Sequence, residues 1–174
     1  MEKLIDLVDK HHKFTRNGFR TNLDDNPENF TFDASGRKWL KKGAYSNTLR
    51  SGVILEHVQT IFPECTAVCL NRKRAESPPM AAHRDKKNIG DSYICFWGDY
   101  DNSNNQGALC LEDGRVFSDK LVFHGAYNGA KIKHWVLPHS KGVRYSAVIF
   151  NGPKVYPRGK PLETSGINKH ESSA

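Results

Sequence analysis

Three side chains of the kind that bind transition metals occur in a fixed order along the chain. His83 and Asp85 belong to the only His-x-Asp triplet of the sequence, and His134 follows further along. Because residues i and i+2 of a β-strand project to the same side, such a pair can offer two ligands to one ion. Two histidines and one carboxylate are the ligand set of non-haem Fe(II) oxygenases. The pattern therefore predicts that His83, Asp85 and His134 hold a metal ion.

A cation and a hydroxyl follow the distal histidine. Arg144 stands ten residues after His134, and Ser146 is two residues further on. We predict a hairpin over residues 131–150 with its turn at 138–142, which would place His134 opposite Arg144 and both side chains on one face. An arginine on an inward face is costly unless it meets an anion. A dicarboxylate would satisfy it through a bidentate guanidinium contact and the Ser146 hydroxyl.

The chain that must position these residues divides into a helical part and a part rich in short strands. Apolar residues at helical spacing predict one helix over residues 3–13 and a second over 47–62. Turn-forming residues fill much of the stretch from 14 to 43. From residue 64 onward the sequence reads as short β-type segments, which are TAVCLNRK, SYICFW, GALCLE, KLVFHG, IKHWVLP and VRYSAVIF.

This order of elements predicts the fold class and the domain organisation. Short strands after two helices indicate a mainly β fold with flanking helices, namely a double-stranded β-helix, or jelly roll, with the N-terminal helices packed outside. A chain of 174 residues is expected to form one domain, here 1–155, with helices and loops over 1–63 and the jelly-roll core over 64–152. The Pro-, Gly- and Ser-rich segment 156–174 is expected to be a mobile tail.

The motifs from about Val68 to Phe150 resemble those of the 2-oxoglutarate/Fe(II)-dependent dioxygenase superfamily. The shared order is His-x-Asp, a distal His, and an Arg ten residues later followed by x-Ser. More narrowly, the segments SPPMAAHRDKKNIGDSYICFWGDY, QGALCLEDG and KHWVLPHSKGVRYSAVIF resemble the TET/JBP branch of 5-methylpyrimidine DNA dioxygenases. A Gly-Gly pair of that branch is replaced here by Gly107-Ala108.

The resemblance implies cofactors, a reaction and a set of site residues. It implies Fe(II) bound by His83, Asp85 and His134. It also implies 2-oxoglutarate bound through Arg144 and Ser146, with Asn71 as a further cosubstrate residue. The implied reaction uses dioxygen to oxidise the 5-methyl group of 5-methylcytosine or thymine in DNA, with succinate and CO2 as coproducts. Prolyl hydroxylases share the same iron motif, so a peptidyl or small-molecule hydroxylase is the alternative function.

Basic residues run directly into the His-x-Asp motif. The net charge of +7 favours a polyanionic partner, and the segment NRKRAESPPMAAHRDKK contributes much of it near the site. Chemistry on a base in a duplex requires that base to be flipped into a pocket. We therefore predict four residues of this region as substrate contacts, namely Arg72, Arg74, Arg84 and Asn88.

The sequence also predicts the cellular compartment of the protein. No apolar run approaches the roughly 18 to 20 residues of a membrane span. The N-terminal stretch MEKLIDLVDKHHK has acidic residues among its apolar ones and lacks a small-residue cleavage site. We expect an intracellular protein, cytoplasmic or nuclear, that is neither secreted nor membrane-bound.

Overall fold

Short strands make up most of the regular structure. The computed structural model describes residues 1–12, 14–15, 30–31, 48–75 and 80–152. The helices are α1 (Glu2–His11) and α2 (Val53–Gln59), and a 3-10 helix covers Ser103–Asn105. The strands are β1 (Phe14–Thr15), β2 (Phe30–Thr31), β3 (Thr48–Leu49), β4 (Ala67–Arg74), β5 (Met80–His83), β6 (Ile89–Gly98), β7 (Leu109–Leu111), β8 (Val116–Phe117), β9 (Phe123–Tyr127), β10 (His134–Val136) and β11 (Val143–Asn151).

The larger layer is a five-stranded antiparallel sheet in the order β3-β4-β11-β6-β9. Its central strand is β11, where Arg144 lies opposite Lys73 of β4 and opposite Gly98 of β6. Directly opposed residues share a face, and side chains alternate along each strand. The strand therefore has an inner row, made of Arg144, Ser146, Val148 and Phe150, and an outer row, made of Tyr145, Ala147 and Ile149.

Helices α1 and α2 cover the outer face of this sheet. Leu4 and Val8 of α1 and Val58 of α2 are fully buried. They belong to one apolar cluster with outer-row residues of β4 and β11 such as Leu70 and Ile149. Removing these side chains from water is worth roughly 1.5–3 kcal/mol each. The predicted mainly β fold with N-terminal helices packed outside is confirmed.

The smaller layer is a four-stranded antiparallel sheet in the order β5-β10-β7-β8. Leu109, Leu111 and Val136 of this sheet form a single buried cluster with Ile94 and Phe96 of the larger sheet. Since Ile94 and Phe96 lie on the same face of the larger sheet as Arg144, the two sheets pack with their inner faces together. The side chains that can do chemistry lie between these two layers.

The predicted hairpin of residues 131–150 is wrong. β10 pairs with β5 and β7 in the smaller sheet, whereas β11 pairs with β4 and β6 in the larger one. The segment after β10 continues toward Gly107 and Ala108, because Leu137 N–H donates to the Ala108 carbonyl at 3.0 Å and Gly107 N–H donates to the Pro138 carbonyl at 3.1 Å. The chain therefore changes sheets between β10 and β11, and His134 is not a cross-strand neighbour of Arg144.

The second helix is shorter than predicted. Only residues 53–59 of the expected 47–62 are helical, because Thr48 and Leu49 pair with β4 and Gly52 has a φ of 91°, outside the helical region. The first helix, predicted over 3–13, is confirmed by α1. Among the residues that the structure describes, no helix has the length and apolar character that a membrane crossing requires. The expected tail at 156–174 and most of the turn-rich stretch 14–43 lie outside the described residues.

Candidate metal centre and anion-binding face

Two histidines and one carboxylate meet where β5 and β10 run side by side. His83 ends β5 and lies directly opposite His134, the first residue of β10. The Asp85 carboxylate oxygens lie 3.7 Å from His83 Nε2 and 3.4 Å from His134 Nε2. The three ligand atoms all lie within 4.8 Å of one another. In the described ranges, no other group of three or more His, Cys, Asp or Glu residues brings its ligand atoms this close together. We call His83, Asp85 and His134 the metal cluster.

Both imidazole rings of the metal cluster are oriented by backbone carbonyls. His83 Nδ1 lies 2.9 Å from the Ala81 carbonyl oxygen, and His134 Nδ1 lies 3.0 Å from the Ile132 carbonyl oxygen. Because a carbonyl oxygen only accepts hydrogen bonds, each Nδ1 carries a proton and donates it. The Nε2 atom of each ring then lies on the side of Asp85, and in the neutral ring its lone pair would be available to a bound metal ion, which is how metal-binding histidines are usually held.

A single carboxylate joins the two chain segments that carry the metal cluster. Glu112 Oε1 accepts hydrogen bonds from Lys133 N–H and from Arg84 Nη2, both at 2.8 Å. Arg84 separates His83 from Asp85, and Lys133 precedes His134. The Asp85 N–H also donates to the Gly129 carbonyl at 2.8 Å. These contacts fix the loop after β5 against the start of β10, so the relative position of the ligands depends on Glu112.

Electrostatics couple the members of the metal cluster to one another. Burial lowers the pKa of His134, but hydrogen bonds to Asp85 and to the Ile132 carbonyl and the charge of Asp85 outweigh it, so the pKa is raised overall. The Asp85 carboxylate therefore favours a positive charge beside His134. The same negative charge would stabilise a divalent cation bound at this position.

Tyr127 packs beside the metal cluster. Its ring packs edge-on against His134, with the centroids 5.6 Å apart, and its side chain is buried. Burial strongly raises the pKa of Tyr127, the Asp85 charge raises it further, and the Arg144 charge lowers it. The hydroxyl is thus within electrostatic range of both groups.

Arg144 is buried with one guanidinium nitrogen unused. Its Nε donates to the Gly107 carbonyl at 2.7 Å, its Nη1 donates to Ser146 Oγ at 3.3 Å, and its guanidinium lies 4.4 Å from the Phe96 ring centroid. Among the described residues, neither Arg144 Nη2 nor the buried Tyr100 hydroxyl makes a hydrogen bond of good geometry. Burial lowers the pKa of Arg144 to about 10, although the nearby Tyr100 and Tyr127 oppose this change. An unsatisfied buried cation of this kind calls for an anion.

The predicted cosubstrate residues share the inner face of the larger sheet. Ser146 is two residues after Arg144 on β11, and Asn71 of β4 lies directly opposite Ser146. The Asn71 amide oxygen also lies 3.7 Å from the Cys69 thiol, on the same face. Lys73, two residues after Asn71, lies opposite Arg144 and is only 4% exposed. We call Lys73 and Arg144 the cation face.

The four predicted substrate residues occupy different surroundings. Arg72 lies on the outer face of β4, with its guanidinium 5.6 Å from the Phe14 ring centroid, and Arg74 is exposed at the end of the strand. Arg84 makes a bidentate contact with Glu112 and donates to the Lys131 carbonyl. Asn88 lies beside the metal cluster, since its N–H donates to the Asp85 carbonyl at 2.8 Å. Of the four, Asn88 is adjacent to the metal cluster through a direct contact.

Two glycines lie beside the site residues and were not predicted as part of the site from the sequence. Gly107 has a φ of +69°, and a Cβ there would lie 2.8 Å from the Tyr100 ring and 3.1 Å from Arg144 Cδ. A glycine is therefore required for Arg144 to reach the Gly107 carbonyl. At Gly129, by contrast, a Cβ would lie 3.6 Å from the Asp85 carboxylate, an ordinary contact distance, so the packing does not require a glycine there. Gly107 was visible in the sequence, but only the packing shows what it lies against.

Comparisons with known proteins leave the family open. No family model and no curated protein match the chain. A solved structure of NgTET1 in complex with 5mC DNA is similar over 87% of this chain and 65% of that chain, at 17% identity and a TM-score of 0.49. The chain thus spans less than two thirds of the length of NgTET1. At this TM-score the similarity assigns no family, reaction or partner, and the site rests on its own geometry.

Proposed function

We propose that this protein is an Fe(II)- and 2-oxoglutarate-dependent dioxygenase that oxidises the 5-methyl group of 5-methylcytosine or thymine in DNA. The observation that carries this proposal is the pairing of the metal cluster with a buried, incompletely satisfied Arg144 across one interior. A metal site alone would fit many proteins. A metal site that faces a buried anion-binding group fits an enzyme whose cosubstrate is an anion bound at both ends.

The donor set of the metal cluster fits Fe(II). Two imidazole nitrogens and one carboxylate oxygen favour a first-row transition metal and leave other coordination positions open. His83, Asp85 and His134 would hold the ion, with the Ala81 and Ile132 carbonyls fixing the rings. When bound together with 2-oxoglutarate and dioxygen, the iron supplies the oxidising power for C–H hydroxylation.

The chain's own residues bind, orient and shield the reactants. Arg144 binds the distal carboxylate of 2-oxoglutarate through its free Nη2, and Ser146 adds a hydroxyl beside it. Asn71 contributes an amide on the same face. The buried Tyr127 ring packs against His134 and shields that side of the metal cluster from water, which strengthens the electrostatic contacts there.

We also propose a fold class for the two packed sheets. We assign the two packed antiparallel sheets to a double-stranded β-helix whose core covers residues 64–152, within a single domain of residues 1–155. Such a core places its ligands between two sheets, which matches the location of the metal cluster.

DNA as the substrate is supported by charge and by the motifs quoted above. The net charge is +7, and exposed Arg74, Lys86 and Lys87 lie on the segments that lead into and out of the His-x-Asp motif. Asn88 is the residue that we assign to the flipped base, because it lies beside Asp85. Arg74 and Arg84 are assigned to the surrounding phosphates, whereas Arg72 lies on the outer face of β4 and is not assigned to them.

Anaerobic titration tests the cofactor assignment. The protein is loaded with Fe(II) and then titrated with 2-oxoglutarate, and a metal-to-ligand charge-transfer band is expected. Zn(II)-loaded protein is the control, because it binds the same ligands without such a band. Absence of the band at saturating Fe(II) would rule out this enzyme class.

Mass spectrometry of oligonucleotides tests the substrate. Duplexes that contain 5-methylcytosine or thymine are incubated with the Fe(II) protein, 2-oxoglutarate and air, and a gain of one oxygen is expected. Unmethylated cytosine and uracil duplexes are the matched controls. Product on a proline-containing peptide panel, with none on DNA, would support the peptidyl hydroxylase alternative instead.

A further inference from the structure

Arg115 joins the two sheets at the side where both of them end. β8 is the last strand of the smaller sheet and β9 is the last strand of the larger one, so no backbone ladder runs between these two described strands. Arg115, which precedes β8, donates from Nη1 to the Ala126 carbonyl of β9 at 2.7 Å. A hydrogen bond from a guanidinium is charge-assisted and is therefore stronger than one between neutral groups. This contact holds the two edge strands together.

The guanidinium of Arg115 is fixed by the turn that carries it. Its Nε and Nη2 donate to Asp113 Oδ2 at 3.0 and 2.8 Å, and its Cζ lies 5.8 Å from the centroid of the Phe117 ring. The Phe117 ring in turn stacks on His124 of β9, with the centroids 5.1 Å apart. A planar guanidinium that is already held in this way loses little further freedom when it binds a carbonyl. We call Arg115 and Phe117 the edge clasp.

The edge clasp is connected to the distal histidine of the metal cluster by two routes. Within the smaller sheet, Leu111 N–H donates to the Arg115 carbonyl at 2.9 Å, and Leu111 lies directly opposite His134. Within the larger sheet, Ala126 is followed by Tyr127, whose buried ring packs edge-on against His134 with the centroids 5.6 Å apart. A shift of β9 relative to the turn before β8 would therefore move the Tyr127 ring across the His134 ring.

We propose that Arg115 is a positioning residue of the metal centre, because it holds the Tyr127 ring against His134 and so fixes the plane of the histidine ring. This inference rests on one part of the proposed function, the metal site, and is independent of the cosubstrate and of DNA. The Ile132 carbonyl already accepts a hydrogen bond from His134 Nδ1. One hydrogen bond lets the ring tilt about it, whereas a hydrogen bond and a ring contact together determine the direction of Nε2.

Visible absorption of the Co(II)-loaded full chain tests the proposal, because the bands of Co(II) depend on the geometry of its ligands. Arg115→Met removes the hydrogen bond to Ala126. We expect the bands to change in position or intensity and the Co(II) dissociation constant to rise by about tenfold, the lower end of the range for residues that orient metal ligands. Arg115→Lys keeps the charge without the planar fork, so we expect the same change. A wild-type spectrum in both variants would overturn the proposal.

A double-mutant cycle tests the route through Tyr127. Tyr127→Leu removes the ring contact with His134 and is expected to change the Co(II) spectrum in the same way as Arg115→Met. The double variant should show no further rise in the Co(II) dissociation constant, because the two side chains act through one contact. A rise equal to the product of the two single-variant rises would show independent effects and would contradict this route.

Lys10→Met is the matched control for the loss of charge. Lys10 is exposed near the end of α1, which packs on the outer face of the larger sheet. We expect a wild-type Co(II) spectrum and dissociation constant, and an equal change in Lys10→Met and Arg115→Met would overturn the proposal. Urea unfolding is recorded for each variant. If the Arg115 variants are unfolded, or are less stable but keep the wild-type spectrum, Arg115 has a structural role only and the proposal is wrong.

The remaining outcomes separate this inference from the proposed function. If the wild-type protein does not bind Co(II), both fail. If the wild type binds Co(II) and the Arg115 variants keep its spectrum, only the role of Arg115 fails. If the spectra change as expected but the Fe(II) protein gives no charge-transfer band with 2-oxoglutarate, the proposed function fails and the role of Arg115 is retained.

Discussion

The metal cluster and the cation face differ in how the chain builds them. The metal cluster lies on the short strands β5 and β10 and on the loop after β5, and the His83 and Asp85 side chains are 18% and 34% exposed. The cation face lies on the long strands β4 and β11 at the centre of the larger sheet, and both of its side chains are nearly inaccessible.

This difference matches what each region has to do in the proposed function. Substrate and dioxygen must reach the ion, so two of its three ligands are partly exposed and are held by loop contacts such as the one between Arg84 and Glu112. The distal carboxylate of the cosubstrate needs no such access. Its binding gains from the low dielectric of a closed interior, where charge pairs interact more strongly. We therefore expect changes in the metal cluster to weaken metal binding alone, and changes in the cation face to weaken 2-oxoglutarate binding alone.

The largest expected effect is on the metal cluster. Asp85→Ala removes the only carboxylate ligand, so we expect Mn(II) affinity, followed by electron paramagnetic resonance, to fall by more than about 100-fold, beyond the loss seen for residues that merely orient ligands. Binding of 2-oxoglutarate to metal-free protein should not change. Asp91→Ala, at an exposed position of β6, is the control. Unaltered Mn(II) binding in Asp85→Ala would contradict the ligand assignment.

The next largest effect is expected on 2-oxoglutarate binding, in the variant Arg144→Met. It removes the guanidinium from the cation face, so the dissociation constant of 2-oxoglutarate should rise by about 100-fold, the upper range for a charged hydrogen bond. Calorimetry of the Mn(II) protein measures this, and Mn(II) affinity itself should be retained. Loss of both affinities together would mean that the two regions are not independent.

A smaller effect is expected at the contact that joins the ligand-bearing segments. Glu112→Ala removes the acceptor of both Arg84 and Lys133, so we expect about a tenfold loss of Mn(II) affinity, typical of residues that orient metal ligands. Asp113→Ala is the control, because Asp113 pairs with Arg115 instead. Equal Mn(II) affinities in the two variants would show that Glu112 does not position the metal cluster.

The smallest effect concerns the cost of burying Lys73. Its folded-state pKa of about 8 lies below its ordinary value of 10.5, so folding disfavours the charged form. The penalty is fully present below pH 8 and is relieved as the pH rises toward about 10.5, because the folded protein then loses a proton that the unfolded chain keeps.

We therefore expect the unfolding free energy of the wild type to increase, relative to Lys73→Met, by about 1–2 kcal/mol between pH 7 and pH 9.5. Urea unfolding of both proteins at the two pH values measures this difference. Parallel pH dependence of the two proteins would contradict the lowered pKa of Lys73.

Much of the candidate site could be predicted because its signals are local. The Arg-x-Ser pair depends only on the alternation of side chains along one strand, and β11 places both residues in its inner row. The His-x-Asp pair comes together at the end of a strand, because β5 ends at His83 and Asp85 lies in the loop that follows. The predicted pairing of β10 with β11 is wrong, because a turn whose sequence is typical of a hairpin can also lead the chain from one sheet to the other. Hydrogen bonds from Leu137 and to Pro138 decide the matter here, and their partners lie about thirty residues away.

The sequence by itself determined the chemical groups of the site, the strand-rich composition and the helices at the N-terminus. Only the tertiary structure decided that His134 and Arg144 lie on the inner faces of different sheets, that Arg84 binds Glu112, and that Lys73 lies buried opposite Arg144. These facts depend on strand register between distant segments. The burial of a lysine contradicts its usual preference for solvent, so no local pattern could have indicated it.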